Sequence, residues 1–290
     1  MNNNDTYSPS GFRILPPVTK NLLIINILLF LATLVLAQRG IDLIDILGLH
    51  YIKASKFAPY QFITYMFMHG GFSHIFFNMF AVWMFGTVLE QVWGSKRYLF
   101  FYLFTGIGAA LVHYLIFYYQ TQPIIQGIDA FLTHPSLQTL NEFVRSHKFY
   151  VQGSSSELSV AFDQFNNYYA MLQTEPTNTQ ALQGAVNFIS LYKEEFLNMP
   201  VVVGASGAIF GLLLAFGMMF PNSMIYLYFF IPMKAKWFVI IYGLLELFSG
   251  FYDTSSNVAH FAHLGGMLFG LILILYWRKK DRNKYIQRWQ

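Results

Sequence analysis

Apolar residues are gathered into six long blocks with polar connections between them. The blocks fall at 20–38, 62–88, 98–119, 201–220, 236–250 and 258–277. At about 1.5 Å of rise per helical residue, such blocks match a hydrocarbon layer about 30 Å thick. The pattern predicts an all-α membrane protein with six transmembrane helices.

The connections are unequal. About eighty residues, 120–200, separate the third block from the fourth; Gln, Asn, Ser and Thr abound there, and seven carboxylates outnumber three basic groups. This stretch reads as a water-facing insertion. Ser154 and Glu157 fit a capping box, and Leu158, Phe162, Phe165 and Tyr169 follow at helical spacing. A second helix is expected after Pro176, through Leu182, Val186, Ile189 and Phe196. A structureless loop of this length is uncommon, so the insertion is expected to form a small helical cap. The 39–60 connection mixes Ile41, Leu43, Ile44, Ile46, Leu47 and Leu49 with Asp42, Asp45 and Lys53, which suits the outer membrane interface. From Asn222 to Lys236, the run Tyr226, Tyr228, Phe229, Phe230 and Pro232 reads as an inner-face turn bearing interfacial aromatics. There is no internal repeat.

Composition strengthens the membrane reading. The chain is 55% hydrophobic and 11% charged, whereas soluble domains carry about 25% charged residues. Without cysteine, disulfides, thiolate metal sites and a cysteine nucleophile are excluded. Residues 1–20 are polar, with Pro9, Pro16 and Pro17, and lack the pattern of a cleavable signal peptide. The net charge of +4 bears on orientation rather than on nucleic acid. With the N-terminus cytoplasmic, that side collects Arg13, Lys20, Lys96, Arg97, Lys234, Lys236, Arg278, Lys279, Lys280, Arg282, Lys284 and Arg288, twelve of the 18 Lys and Arg. The expected organisation is a cytoplasmic tail (1–20), three helices (21–119) with an outer-face loop (39–60), the outer insertion (120–200), three more helices (201–277) and a basic cytoplasmic tail (278–290).

Alternating helices place the starts of the second, fourth and sixth at one depth near the outer face. There the sequence has Ser73, His74 and Asn78, then Ser206, then Asn257, His260 and His263. Ser206 and His263 are expected about 8–10 Å below the outer edge. Polar side chains at membrane depth are costly unless they pair or line a wet cavity. Gly207/Gly211 and Gly266/Gly270 have the spacing that lets helices approach closely, and close approach is what a serine–imidazole hydrogen bond of about 2.6–3.2 Å requires. Small-residue packing accounts for Ser206 taken alone, and interhelical hydrogen bonding for each histidine; their conjunction points to a nucleophile and its base. His74 and Asn78, four apart, share a helix face and can donate to an oxyanion alongside the Ser206 backbone N–H. A metal centre of His69, His74, His260 and His263 is the rival. A zinc protease carries His-Glu-x-x-His, whereas this chain reads Ala-His-Phe-Ala-His.

These residues resemble the rhomboid family of intramembrane serine proteases. The stretch from His69 to Asn78 is similar to that family's His-x-x-x-Asn region with its preceding histidine, Gly204-Ala205-Ser206-Gly207 to its Gly-x-Ser-Gly, and Ala262-His263 with Gly266 and Gly270 to its Ala-His-x-x-Gly-x-x-x-Gly. The resemblance covers the six-helix core and not the insertion. It implies a rhomboid-like bundle, a Ser206–His263 dyad without a carboxylate third member, and an oxyanion hole of His74, Asn78 and the Ser206 N–H. It further implies single-span membrane proteins as substrates, in a lipid bilayer, with no metal, organic cofactor or nucleic acid. A bacterial inner membrane is the expected location. Two positions depart from common family residues: Pro59-Tyr60-Gln61 replaces Trp-Arg before the second helix, and Phe210 replaces a tyrosine that packs on the catalytic histidine. The phenyl ring can still stack on His263 without donating a hydrogen bond. The alternatives are a non-catalytic rhomboid-like protein that binds membrane clients for quality control, and a transporter with a histidine proton relay. The first generally lacks the serine or the histidine; the second needs polar residues across the whole membrane. The insertion, directly before the nucleophile's helix, has two readings: a gate or selector of substrates, and a spacer with no part in the chemistry.

Overall fold

A computed structural model describes residues 15–149, 151, 156–199, 201–227, 230–252 and 259–287. Arg13, Ser154, Tyr228, Phe229, Asn257 and Arg288 lie outside the described residues, as do the side chains of Arg282 and Lys284. In chain order the elements are α1 (Pro17–Ala37), α2 (Leu43–Leu47), α3 (Gln61–Thr64), α4 (Phe72–Ala81), α5 (Thr87–Trp93), α6 (Ser95–Thr133), α7 (Leu137–Ser146), α8 (Ser156–Thr174), α9 (Thr179–Asn198), α10 (Ser206–Met219), β1 (Met224–Leu227), β2 (Ile231–Lys234), α11 (Ala235–Tyr252) and α12 (His260–Gln287). A π-helical turn, Val82–Gly86, carries α4 into α5, so 72–93 is one continuous span. Among the described residues, five helices are long and apolar enough to cross a membrane; α10, with 14 residues, is apolar but shorter.

The chain divides into two compact units: residues 1–48, 62–113 and 203–290, and residues 49–61 with 114–202. The first is an inside-out bundle. Polar residues of α1, Thr19, Asn26 and Thr33, are buried, while Leu28, Leu31, Leu34 and Val35 are exposed. Phe76 and Phe77 of α4 and Leu244, Leu245 and Phe248 of α11 are exposed as well. An apolar surface of this extent belongs against lipid. Two of the buried polar residues bond back to their own helix: Asn26 Nδ2 donates to Leu22 O at 2.7 Å, and Thr33 Oγ1 to Leu29 O at 2.9 Å.

One end of the bundle is fixed by charge. The buried Glu90 carboxylate accepts from Val18 N (2.9 Å), Thr19 N (2.7 Å), Thr19 Oγ1 (2.8 Å) and Ser95 Oγ (2.6 Å). It thereby caps the otherwise unpaired first N–H groups of α1, where an anion is also favoured by the helix dipole. Arg97 pairs with Asp281 at 3.0 Å and lies over Trp277, and Arg278 donates to Met218 O at 3.0 Å. The starts of α1 and α6 and the ends of α5, α10 and α12 thus share this end. The starts of α4, α10 and α12 are left at the other, which is the alternation that the apolar blocks imply.

The second unit has its own core. Ile125, Ile128 and Phe131 of α6 pack with Leu140, Phe143, Leu158, Phe165, Leu172, Phe188, Ile189 and Tyr192. Phe165 stacks on Phe188 at 4.4 Å, and the Tyr192 hydroxyl lies 2.6 Å from His147 Nε2. Helix starts are capped by Ser136, whose Oγ accepts from Thr139 N, and by Asn178, whose Oδ1 accepts from Ala181 N. Gln61 ties down the 49–61 segment: its Oε1 accepts from His50 N and Ala58 N, and its Nε2 donates to Lys56 O.

The structure amends the expected elements in three places. The third helix does not stop at 119; α6 runs on through Pro123 to Thr133. Gln120, Thr121, Gln122 and Pro123 signal an end, but Ile125, Ile128 and Phe131 recur at helical spacing and their burial carries the helix onward. Helix α7 adds to the two helices expected in the insertion; its apolar face is short, with Leu140 and Phe143 as its buried residues. The inner-face turn is a two-stranded antiparallel hairpin, pairing Met224 with Lys234 and Tyr226 with Pro232.

Candidate active site

The site lies at the N-terminal ends of α4, α10 and α12 and the C-terminal part of α11, all within the first unit. Glycine brings α10 and α12 together. A Cβ on Gly266 would lie 1.8 Å from the Gly207 carbonyl oxygen, and one on Gly270 would lie 3.3 Å from Gly211 Cα. The two small-residue pairs seen in the sequence therefore face each other. Helix α6 packs against both helices: a Cβ on Gly207 would meet Ala109 Cβ at 2.5 Å, one on Gly211 would meet Thr105 at 2.7 Å, and one on Gly265 would meet Val112 Cβ at 2.7 Å.

At this crossing, Ser206 Oγ is 2.8 Å from His263 Nε2. His263 is buried, and its ring stacks on Phe210, parallel within 7° at 4.2 Å between centroids; Phe210 in turn stacks on Tyr242 at 5.1 Å. The replacement of tyrosine by phenylalanine thus keeps the ring plane and removes a hydroxyl.

The other imidazole nitrogen meets a residue that the sequence motifs do not include. His263 Nδ1 is 2.8 Å from Glu246 Oε2, and His260 Nδ1 is 2.7 Å from the same oxygen. Glu246 belongs to α11 and is 7% exposed. The residues flanking His260 offer no carboxylate, and the family resemblance implies none. Yet Glu246 is the sole acidic residue of the fifth apolar block, and an ionisable group within a span is a functional candidate on cost alone. Aligning helix starts passes it over, because α11 runs the opposite way and reaches the same level near its end.

His74 and Asn78 meet the turn before α10 at Gly204. This glycine has φ +117°, a backbone region that side chains disfavour. A Cβ there would stand 2.6 Å from His74 Nε2 and 3.4 Å from Asn78 Nδ2. Gly204 N donates to Tyr65 O at 2.9 Å, and the Tyr65 hydroxyl donates to Gly106 O at 2.7 Å, which holds the strained turn in place. Asn78 Nδ2 is buried and has no hydrogen-bond partner among the described residues. Such a donor costs free energy until an acceptor arrives. Ser73, by contrast, is exposed, and His260 turns to Glu246 and not to Ser206.

Glu246, His260 and His263 each offer one ligand atom, all within 4.8 Å of one another, and are the set among the described residues with metal-ligand spacing. The same three residues are also within hydrogen-bond distance of one another, both Nδ1 atoms lying against one carboxylate oxygen. His69 and His74, whose rings are 5.0 Å apart, form a separate pair.

A helical bundle with an apolar outer surface and, at one end, an imidazole between a serine and a carboxylate defines a membrane protein with a polar site. The rhomboid domain model matches residues 56–128 and 150–280, and the chain belongs to the rhomboid family. The match enters the insertion from both sides and leaves 129–149 out. Similar proteins include the chloroplastic Rhomboid-like protein 11 of Arabidopsis thaliana, 34% identical over 95 residues, which are 33% of this chain and 32% of that protein. Rhomboid-like protein 15 of the same plant is 37% identical over 62 residues, 21% of this chain and 15% of that one. Rhomboid protease GluP of Bacillus subtilis (strain 168) is 34% identical over 56 residues, 19% and 11% of the respective chains. The aligned part is a third or less of each relative's length.

Proposed function

We propose that this chain is an intramembrane serine endopeptidase that cleaves single-span membrane proteins in or beside their transmembrane segments. The 2.8 Å approach of Ser206 Oγ to His263 Nε2 carries the reading. It lies within the range in which an imidazole can take the hydroxyl proton as attack proceeds.

In this reading, the Ser206 Oγ–H proton passes to His263 Nε2 while Oγ bonds to the scissile carbonyl carbon. The carbonyl oxygen becomes an oxyanion, which accepts from Asn78 Nδ2, His74 and the Ser206 N–H. Collapse breaks the C–N bond, and the amine leaves with the proton held on His263. Water repeats the sequence in reverse roles, giving a carboxylic acid and free Ser206. A lipid-buried helix keeps its amides bonded to one another, so the substrate must unwind locally before Oγ can reach a carbonyl. Helix-weakening residues near the cut are accordingly favoured.

The basic residues near the Glu90–Arg97–Arg278 end support a cytoplasmic placement of that end and of both termini. The active site then opens to the outer face of a bacterial inner (plasma) membrane. Reconstitution in proteoliposomes with a single-span reporter, and mass spectrometry of the products, tests the reading. A cut within or next to the reporter's apolar segment is expected, at a rate unchanged by a chelator. No cut, or one confined to a distant soluble domain, contradicts it, and inhibition by the chelator would move Glu246, His260 and His263 to a metal role.

Asn78→Ala removes the buried, unpartnered donor. It is expected to lower kcat by about 10–1,000-fold with little change in KM, because the acceptor it meets forms only as the oxyanion develops. A variant altered mainly in KM would place Asn78 in ground-state binding.

A further inference from the structure

The proposed serine–histidine chemistry needs more than proximity. A neutral imidazole is a base at Nε2 only when its proton resides on Nδ1, and phenylalanine at 210 can hold the ring plane but cannot select the tautomer. The selecting group must lie on the Nδ1 side. There, among the described residues, the structure places Glu246 Oε2, at 2.8 Å.

We propose that Glu246 is a positioning carboxylate for His263, oriented in turn by His260, so that the site works as a serine–histidine–glutamate triad with a second histidine behind it. The inference rests on the protease reading above and adds to it residues that the family resemblance did not supply.

Three features carry it. Glu246 is nearly enclosed, with its side chain 9% exposed beside His263 at 11% and His260 at 13%. Water therefore competes weakly for Oε2. Both contacts to that oxygen are from Nδ1 atoms, 2.7 and 2.8 Å away. A carboxylate can only accept, so each ring carries its proton on Nδ1 and the His263 Nε2 lone pair is turned to Ser206. Third, Glu246 sits on α11, while its two partners are on α12 one helical turn apart. A carboxylate bridging i and i+3 imidazoles from a neighbouring helix is held from both sides, and an Nδ1–H from His260 fixes the oxygen that His263 uses.

In the reaction, Glu246 keeps its charge throughout. It holds the Nδ1–H and stabilises the imidazolium that forms when Nε2 takes the Ser206 proton; the proton stays on nitrogen. Among the described residues, the groups facing His263 are Ser206 on α10, Glu246 on α11, His260 on its own helix and His74 on α4; the Phe210 ring stacks on the imidazole, and the Tyr242 ring lies behind Phe210. Among these, Glu246 is the one acid.

The test compares Glu246→Gln, Glu246→Asp and His260→Phe in proteoliposomes, with nitrogen NMR of ¹⁵N-histidine-labelled protein. Glu246→Gln is expected to lower kcat by about 100–1,000-fold while KM shifts by less than about threefold. Glu246→Asp should restore a large part of that loss, because the charge and the acceptor return. His260→Phe should cost about 3–30-fold, since Oε2 keeps its charge and loses its second anchor. In wild type, the His263 resonances should report protonated Nδ1 and bare Nε2, and that signature should be lost in Glu246→Gln. A merely structural glutamate would leave the tautomer and the kcat-to-KM split unmoved. Glu246→Gln cleaving within about twofold of wild type, or a wild-type His263 protonated on Nε2, overturns the proposal. The wild-type tautomer decides the matter even where a variant fails to fold. Cleavage surviving Ser206→Ala would instead overturn the protease reading itself.

Discussion

Ser206→Ala is expected to reduce cleavage of a single-span reporter by about 10⁵–10⁶-fold, with the thermal unfolding of the detergent-solubilised protein unchanged. The magnitude follows from removing a covalent nucleophile for which no neighbour substitutes, as serine proteases behave when the serine or the histidine is lost. The absence of a folding penalty follows from location. Ser206 is the first residue of α10 and is partly exposed, and its hydroxyl bonds to His263. Alanine keeps the small volume that lets α10 meet α12. His263→Ala should fall by a similar factor, and the double variant no further, because the two act as one unit. Additive losses would mean that serine and histidine serve separate purposes.

Gly266→Val is expected to cost about 3 kcal/mol of stability or more, together with loss of activity. The Cβ would enter the space of the Gly207 carbonyl, at 1.8 Å. No side-chain rotation relieves a clash with backbone, so α10 and α12 must part, and overpacked cores cost about 1–3 kcal/mol even where side chains can yield. Ser206 is adjacent to Gly207 and His263 one turn before Gly266. Parting the helices therefore opens the 2.8 Å approach directly. Gly270→Ala supplies the comparison: its added carbon would meet Phe101 Cζ at 3.2 Å and Gly211 Cα at 3.3 Å, which small adjustments accommodate, and it should retain much of the activity. Thermal unfolding and reporter cleavage measured on both variants check the ranking. Equal stability of the two would show that the helices are not held at this distance.

The portion of this molecule that is legible in its residues is the portion that lipid constrains. A block such as 20–38 has to be a helix because its amides have no water to bond with, and the order of such blocks fixes which ends share a level. His74, Asn78, Ser206 and His263 follow from that alternation, and the paired glycines name the helices that touch. Glu246 does not follow from helix starts alone, although it obeys the same rule, since the end of an odd-numbered helix lies level with the start of an even one. The insertion is legible where long amphipathic faces exist, as in α8 and α9, and illegible where burial by neighbours decides. Residues 120–133 carry a proline and three polar residues at their start, yet Ile125, Ile128 and Phe131 keep them helical by packing on α7–α9 side chains that no local pattern identifies. The hairpin of 224–227 and 231–234 is hidden by its aromatic content, which reads equally as interface and as strand.

The central claim is that the Ser206 hydroxyl is activated by His263. A fluorophosphonate that labels serine nucleophiles tests this on the membrane-embedded protein without any choice of substrate. Covalent labelling of wild type is predicted, with the adduct mapped to Ser206 and abolished in Ser206→Ala and in His263→Ala. Labelling at another residue, or a wild type that stays unlabelled while folded, would contradict it.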